Sequence, residues 1–374
     1  MFNSILWNTK NLYNELLEIH KESWKNKKKG LTKFDYNNLS KSKKFPVKIY
    51  SQVLQSTGAR LADAFQRFFR RQNRFPKFKS LRNFKSFTYP QNTGFAVLPK
   101  HIRLGGIGKV RCRFSRPIEG IPKTCTIKKT NIGDWYAYIT VDDINILKIV
   151  PQNRQIVKAI DLGVRKFLTD QDGNYLPRPR FLTKKLKKLA RAQRELSRKQ
   201  KGSHNREKQR LRVAKIYEHI QNARRDHHFK VAHWLVNHYD NLICEDLQVS
   251  KMYRKKSERK QRRALFDVAL YEFLTILTWM AEKYSCNLVR VDPAYTSQLC
   301  SNCGSVVPKG SSEIHNCPHC GLVLDRDINA ARNILLRGLK YLTTNVPGGI
   351  PGGEKLFSSN PMLVEILISG VGGH

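Results

Sequence analysis

The chain has 374 residues, 40% of them hydrophobic, with 69 Lys and Arg against 29 Asp and Glu for a formal net charge of +40. That length and apolar content exclude a disordered chain and allow two or three domains with cores of their own. Charge of this size repels itself, so it points to a polyanionic partner bound with strong salt dependence.

The first thirty residues are polar and lack the apolar core of a secretory signal. Tyr13, Leu16, Leu17, His20 and Trp24 recur at helical spacing and predict an amphipathic first helix. A second is predicted after Pro46, with Leu54, Gly58, Leu61, Phe65 and Phe68 on one face. It should stop by Arg74, because Pro76 disfavours helical geometry at the residue before it.

From Lys85 to Asp143 the period changes to two. Val110, Cys112 and Phe114 alternate with Lys109, Arg111 and Arg113, and Trp135, Ala137, Ile139 and Val141 alternate with Tyr136, Tyr138 and Thr140. With turns at Gly105-Gly106 and Gly133-Asp134, the pattern predicts a small antiparallel barrel or sheet. Its basic and aromatic outer face suits nucleic acid or is simply solvated.

Residues 144–155 read as a linker, and beyond them the pattern becomes mixed α/β. A buried-type strand at 156–160 ends at Asp161-Leu162-Gly163, and 164–169 and 174–176 can pair with it across Asp172-Gly173. Helices are predicted at 183–199 and 207–223, joined at Gly202-Ser203, with seams of Leu186, Leu189 and Leu196 and of Val213, Ile216, Ile220 and Ala223. Next come a strand at 241–244 leading into Glu245-Asp246-Leu247, a helix at 265–283 and a strand at 286–291. Asp267 and Glu272 interrupt the longest apolar stretch, 264–280, so it does not read as a membrane span. The tail 341–374, with Pro347-Gly348-Gly349-Ile350-Pro351-Gly352-Gly353, is expected to be a flexible extension, although its apolar run 362–368 has no explanation.

Cys300-Ser301-Asn302-Cys303 and Cys317-Pro318-His319-Cys320 stand thirteen residues apart, each followed by glycine. Each Cys-x-x-Cys turn offers two thiolates, and a short hairpin across the gap can close a tetrahedron around Zn²⁺. Four thiolates leave no open position, so the expected role is structural. His315 and His319 are rival ligands but read better as surface residues. Cys112, Cys125, Cys244 and Cys286 are scattered, which suits core thiols in a reducing compartment such as the cytoplasm.

Three acids sit where elements begin or end: Asp161 and Glu245 at strand ends, and Asp327 at the opening of a helix. Carboxylates from one sheet edge and an adjoining helix can hold Mg²⁺, and a two-metal site of that kind hydrolyses phosphodiesters. Asp246 and Asp325 are alternatives that spacing alone does not exclude.

Asp161-Leu162-Gly163, Cys244-Glu245-Asp246-Leu247, Tyr295-Thr296-Ser297-Gln298 before Cys300, and Asp327-Ile328-Asn329-Ala330-Ala331 resemble the motifs of the TnpB family. These are the OrfB-type RNA-guided DNA endonucleases of insertion sequences, related to type V CRISPR effectors. The resemblance extends upstream to 46–71, Phe75-Pro76-Lys77-Phe78-Lys79-Ser80 and Phe87-Thr88-Tyr89-Pro90. It implies a multidomain α+β protein: a helical recognition segment at 1–80, a wedge-type β-barrel at 81–150, and an RNase H-like (RuvC-like) nuclease domain at 151–340 with a zinc ribbon inserted at 297–323.

It further implies Asp161, Glu245 and Asp327 as the Mg²⁺-binding catalytic triad, selecting Glu245 over Asp246 and Asp327 over Asp325. Cys300, Cys303, Cys317 and Cys320 become the Zn²⁺ ligands. The implied partners are a guide RNA from the transposon end and target DNA, in a prokaryotic cytoplasm at the nucleoid. Gln52, Gln55, Ser56, Lys77 and Lys79 are candidate nucleic-acid contacts. Family members usually open with a short strand ahead of the first helix, so this chain is expected to leave the barrel one strand short. A non-cleaving RNA-guided binder should have lost an acid, and a zinc-ribbon chaperone leaves the spaced acids unexplained.

Overall fold

The computed structural model describes residues 1–115, 117–118, 120–142, 156–249, 252, 259–308, 310 and 312–345. The expected linker at 144–155 and the glycine-proline segment and apolar run of the tail lie outside the described residues. The chain divides into two compact units, Met1–Asn145 and Ile146–His374.

The first unit opens with α1 (Phe2–Lys27), whose Leu12, Tyr13, Leu16, Leu17 and His20 are buried while Trp24 is exposed. A short helix that the periodicity misses follows, α2 (Lys33–Lys41). Its signal was local: the Thr32 hydroxyl accepts from the Asp35 N–H while the Asp35 carboxylate accepts from the Thr32 N–H, a reciprocal capping box. Helix α3 (Ser51–Phe69) then buries Leu54, Gly58, Leu61 and Phe65 and ends well short of Pro76.

The strands after α3 correct the expectation of a closed barrel. β1 (Ser86–Tyr89), β5 (Ile121–Lys129) and β6 (Trp135–Asp142) make one three-stranded antiparallel sheet. β2 (Phe95–Leu98), β3 (His101–Leu104) and β4 (Gly108–Arg111) make another. Pro90, which cannot donate to a ladder, and a 3₁₀ turn at Asn92–Gly94 separate β1 from β2. Residues 112–115 continue the alternation in sequence but do not extend β4. Both sheets and the helices share one core that includes Leu61, Phe65, Phe87, Tyr89, Phe95, Ile102, Leu104 and Ile127.

The second unit is built on a five-stranded sheet. Its strands are β7 (Val157–Leu162), β8 (Lys166–Asp170), β9 (Tyr175–Pro177), β10 (Asn241–Glu245) and β11 (Asn287–Val291), in the order β11-β10-β7-β8-β9. β7, β10 and β11 run parallel, and β8 is antiparallel to both of its neighbours. Gly173, at φ +94°, makes the β8–β9 turn. The turn is held by Asp170, whose carboxylate accepts from the Asp172 and Asn174 N–H groups and pairs with buried Lys158.

Between β9 and β10 lie α4 (Phe181–Ser197) and α5 (His204–His238), the latter running fifteen residues past its expected end at Ala223. The first half of α5 packs Val213, Ile216 and Ile220 on Leu189 and Ala192 of α4. Its second half changes partners, placing Val231, Ala232, Leu235 and Val236 in the core over the sheet. One uninterrupted helix therefore serves two cores, which is why its first seam stops near Ala223.

The helix expected at 265–283 is two helices, α6 (Arg259–Val268) and α7 (Leu270–Lys283), broken at Ala269 with φ +49°. The break exposes peptide groups that neighbouring side chains capture. Arg224 donates to the Phe266 carbonyl, and His228, which is fully buried, lies 3.1 Å from the Val268 carbonyl. Burial depresses the His228 imidazole to about 4, so it stays neutral near pH 7. Asp267, unpaired in the sequence, accepts from the Leu182 and Thr183 N–H groups at the start of α4. Gln261–Lys283 is long and apolar enough to cross a membrane by length and composition alone. Here Leu265, Val268, Leu270, Phe273, Leu274 and Leu277 fill the sheet's core.

After β11 come a two-stranded antiparallel hairpin, β12 (Ile314–Asn316) and β13 (Val323–Asp325), and the final described helix, α8 (Arg326–Asn345). The tail expected from 341 thus begins inside α8.

Candidate metal centres

Side-chain parity on the sheet decides which acids meet. Successive residues of a strand point to opposite faces. Ile160, Leu162, Leu242 and Cys244 join the core with α5 and α7, whereas Ala159, Ile243, Val289 and Val291 pack with Ile334 and Leu342 of α8. Asp161 lies two residues past Ala159, and Glu245 two past Ile243, so both occupy the α8 face. In the parallel pairing Ile160 is opposite Cys244, and one step further along sets Asp161 beside Glu245 at the carboxyl ends of adjacent strands. Asp327 enters from the first turn of α8, which packs across β7 and its neighbours.

The electrostatics register this convergence. Burial, reinforced by the Glu245 and Asp327 carboxylates, pushes the Asp161 carboxyl well above the usual carboxylate range, against weaker opposition from the Leu162 N–H and Arg326. Glu245 is 9% exposed and accepts a short hydrogen bond from the Thr296 hydroxyl. Asp327 keeps about a third of its side chain exposed, with Lys166 Nζ 3.8 Å from its carboxylate.

The two alternative acids have other work. Asp246, on the opposite parity, is exposed and pairs with Arg290 at 3.5 Å. Asp325 caps α8, accepting from the N–H groups of Asp327 at 2.9 Å and Ile328 at 3.4 Å, and takes Lys166 Nζ at 2.6 Å on its other oxygen. Burial opposes its charge, but these hydrogen bonds outweigh it and hold the carboxyl below its ordinary value.

The four cysteines form the tightest cluster. All four sulfurs lie within 4.8 Å of one another, the only group of three or more His, Cys, Asp or Glu ligand atoms that close among the described residues. Cys300 Sγ is 3.6 Å from Cys320 Sγ and Cys303 Sγ is 3.6 Å from Cys317 Sγ. Those distances are far too long for disulfides and match the edge of about 3.8 Å in a tetrahedron of ~2.3 Å Zn–S bonds. The thiols could therefore hold a metal such as zinc.

Both knuckles repeat one geometry: Gly304 N–H donates to the Cys300 carbonyl and Gly321 N–H to the Cys317 carbonyl, with both glycines at φ +74°. Hydrogen bonds from the Ser305 side chain and N–H lower the Cys303 thiol to about 6, which favours the thiolate a metal needs. Of the rival ligands, His319 is exposed as expected. His315, expected at the surface, is instead 4% exposed and stands outside the sulfur cluster.

Residues that sequence reasoning left without a role join the two centres. Asn329 is fully buried; its amide donates to the Leu299 carbonyl at 2.7 Å and its oxygen accepts from the Ser301 N–H at 2.8 Å. Asn333, one turn later, donates to the carbonyls of Thr296 and Leu299. The Asp-Ile-Asn-Ala-Ala motif thereby acquires a division of labour: Asp327 faces the acids, Asn329 clasps the first knuckle, and Ala330 and Ala331, both buried, let α8 approach closely. The i, i+4 spacing of Asn329 and Asn333 was the available signal.

In the first unit, Gln52 donates to Gln91 at 2.8 Å and to Thr93 at 2.9 Å, fixing α3 to the turn after β1. Gln55 and Ser56 are half-buried on the same helix. Lys77 is exposed, while the Lys79 backbone is clasped by the Asn14 amide through bonds of 3.0 and 2.7 Å. Tyr136 and Tyr138 are exposed on β6, with Lys128 Nζ 5.6 Å from the Tyr138 ring.

Comparison with known proteins places this architecture. Residues 138–256 match the OrfB_IS605 model, described as a probable transposase, and residues 271–334 match the Cas12f1-like TNB domain. Among the relatives that carry the name "Putative RNA-guided DNA endonuclease", two span most of this chain. InsQ of Escherichia coli (strain K12) is 31% identical over 329 residues, covering 84% of this chain and 79% of that one. The other, from Streptomyces pristinaespiralis, is 30% identical over 339 residues, covering 88% and 83%. The fold is similar to that of the solved Cas12f1–sgRNA–target DNA complex, with a TM-score of 0.56 at 14% identity over 89% of this chain and 81% of that one. With this identity over most of both relatives, and with motifs that account for buried contacts, the chain belongs to the TnpB family of OrfB-type transposon proteins.

Proposed function

We propose that this chain is an RNA-guided DNA endonuclease of a transposable element, cutting DNA by metal-dependent phosphodiester hydrolysis at Asp161, Glu245 and Asp327. The observation that carries the proposal is the register placing Asp161 beside Glu245 at the ends of parallel strands, on the face covered by α8. The strand order, with its single antiparallel member β8, is the arrangement expected of an RNase H-like nuclease domain. The names of the relatives support the activity, and the formal charge of +40 suits a chain that holds both RNA and DNA. In this assignment residues 1–80 form the recognition segment, 81–150 the wedge and 151–340 the nuclease with its ribbon at 297–323.

The donor set fits a hard divalent cation such as Mg²⁺. It consists of carboxylate oxygens, and a cation offsets both the burial and the Glu245 and Asp327 charges that raise the Asp161 carboxyl. Bound there, the ion would polarise a phosphodiester oxygen and lower the pKa of an attacking water. The protein's part is positioning. The sheet fixes Asp161 and Glu245, Thr296 orients Glu245, and Asp325 with Lys166 fixes the turn that presents Asp327. Zn²⁺ on Cys300, Cys303, Cys317 and Cys320 is structural, since four thiolates leave no open position.

Asp161→Ala tests the assignment. With a matching guide RNA and Mg²⁺, cleavage should fall at least about a thousandfold, the several kcal/mol a lost metal ligand represents, while RNA binding measured by filter retention is unchanged. Undiminished cutting would refute it.

A further inference from the structure

Five non-glycine residues among those described have positive φ: Lys28, Arg71, Ala269, Ser285 and Tyr295. Lys28 caps α1, and Arg71, Ala269 and Ser285 follow the ends of α3, α6 and α7, where a left-handed residue ordinarily closes a helix. Tyr295, at φ +61°, ends no helix. It stands in the turn after β11, and a bulky side chain there is a conformational outlier.

The surroundings hold it in place. Asp292 accepts from the Ala294 N–H at 3.0 Å, and Arg337 donates to the Asp292 carbonyl at 2.6 Å. The Tyr295 carbonyl accepts from the N–H groups of Gln298 and Leu299, each at 2.9 Å. Thr296, 3% exposed, is anchored through Asn333 to α8 and through its hydroxyl to Glu245. Strained residues held by such constraints cluster at active sites and ligand clamps. Yet the ring gains no burial for it: Tyr295 is 60% exposed. Glycine would adopt this backbone without steric strain, so what tyrosine adds at this position is an exposed ring.

We infer that Tyr295 is a base-stacking residue, holding an unpaired nucleobase of the DNA strand beside Glu245. The inference rests on the nuclease assignment for its substrate. Its chemistry is general: an exposed aromatic face takes any base, and such stacking changes single-strand affinity by roughly five- to more than a hundredfold per base. A tyrosine fixed one residue from the Glu245-orienting threonine would set where the strand lies relative to the acids.

The test uses the full zinc-loaded chain and single-stranded oligodeoxynucleotides carrying 5-iodouracil at successive positions, bound in buffer with neither chelator nor added Mg²⁺ and irradiated, with adducts mapped by mass spectrometry. Tyr295 should carry an adduct, Y295F should keep it, and Y295G should lose at least about tenfold of the yield within 292–299. Y295G should melt at the native temperature or above it, because the strain is gone. No adduct at Tyr295, an undiminished yield in Y295G, or a lower melting temperature for Y295G would each overturn the inference. Crosslinking without Mg²⁺ is independent of cutting, so its failure is distinguishable from failure of the nuclease assignment.

Discussion

The cysteine cluster and the acid cluster are neighbours that assemble by different physics. Each knuckle is a local turn closed by its own backbone hydrogen bonds and a left-handed glycine, and the four sulfurs already lie within 4.8 Å of one another. The acids have no such local help. Asp161 and Glu245 are brought together by strand register and pleat and Asp327 by the seating of a helix, and burial together with the neighbouring charges raises the Asp161 carboxyl. One centre is written in a motif, and the other exists only once the sheet has formed.

The largest expected effect breaks the cysteine side alone. Stripping the metal with a chelator, or Cys300→Ser, should unfold the ribbon, since a structural zinc contributes on the order of 10 kcal/mol. Hydrogen exchange should rise across 297–323 while β7 and β10 stay protected, and bound zinc should fall by one equivalent. Loss of protection in the sheet as well would mean that the two centres fold as one.

Asn329→Ala attacks the joint between them. It leaves the Ser301 N–H without its partner, while Asn333 still serves the Leu299 carbonyl, for about 1–3 kcal/mol. Zinc affinity should weaken more than sheet stability, as read by competition with a chromogenic chelator. An equal loss in both would place the asparagine in the sheet's core rather than at the joint.

Gly338→Ala strikes the acid side through packing. A Cβ there would sit 2.4 Å from two carbons of buried Ile243, beneath α8. Overpacking of this kind costs about 1–3 kcal/mol, partly offset by roughly 1 kcal/mol of helix propensity. Thermal melting should show a modest loss and zinc content none; a stabilised protein would contradict the close seating of α8.

The same contrast explains what the sequence reveals. The knuckles are legible because spacing and residue type carry the geometry, and the acids are legible as strand-end and helix-start residues. Spacing leaves Glu245 and Asp246 equivalent, and the pairing of β10 with β7 sets Glu245 beside Asp161; the cap that Asp325 makes on α8 is likewise seen only in the fold. The break at Ala269 was invisible because its carbonyls are captured by Arg224 and His228, forty or more residues back in sequence. The barrel failed where Pro90 and a 3₁₀ turn split what alternation alone would join.

Adjacent acids on one strand give the most direct test of the central claim, that register builds a single carboxylate site. Glu245→Gln and Asp246→Asn should be compared for Mg²⁺-dependent cleavage with the matching guide RNA, alongside guide binding. The account predicts cleavage reduced at least about a hundredfold for Glu245→Gln and within about threefold of native for Asp246→Asn, with guide binding intact in both. Equal losses, or a larger loss at Asp246, would contradict it.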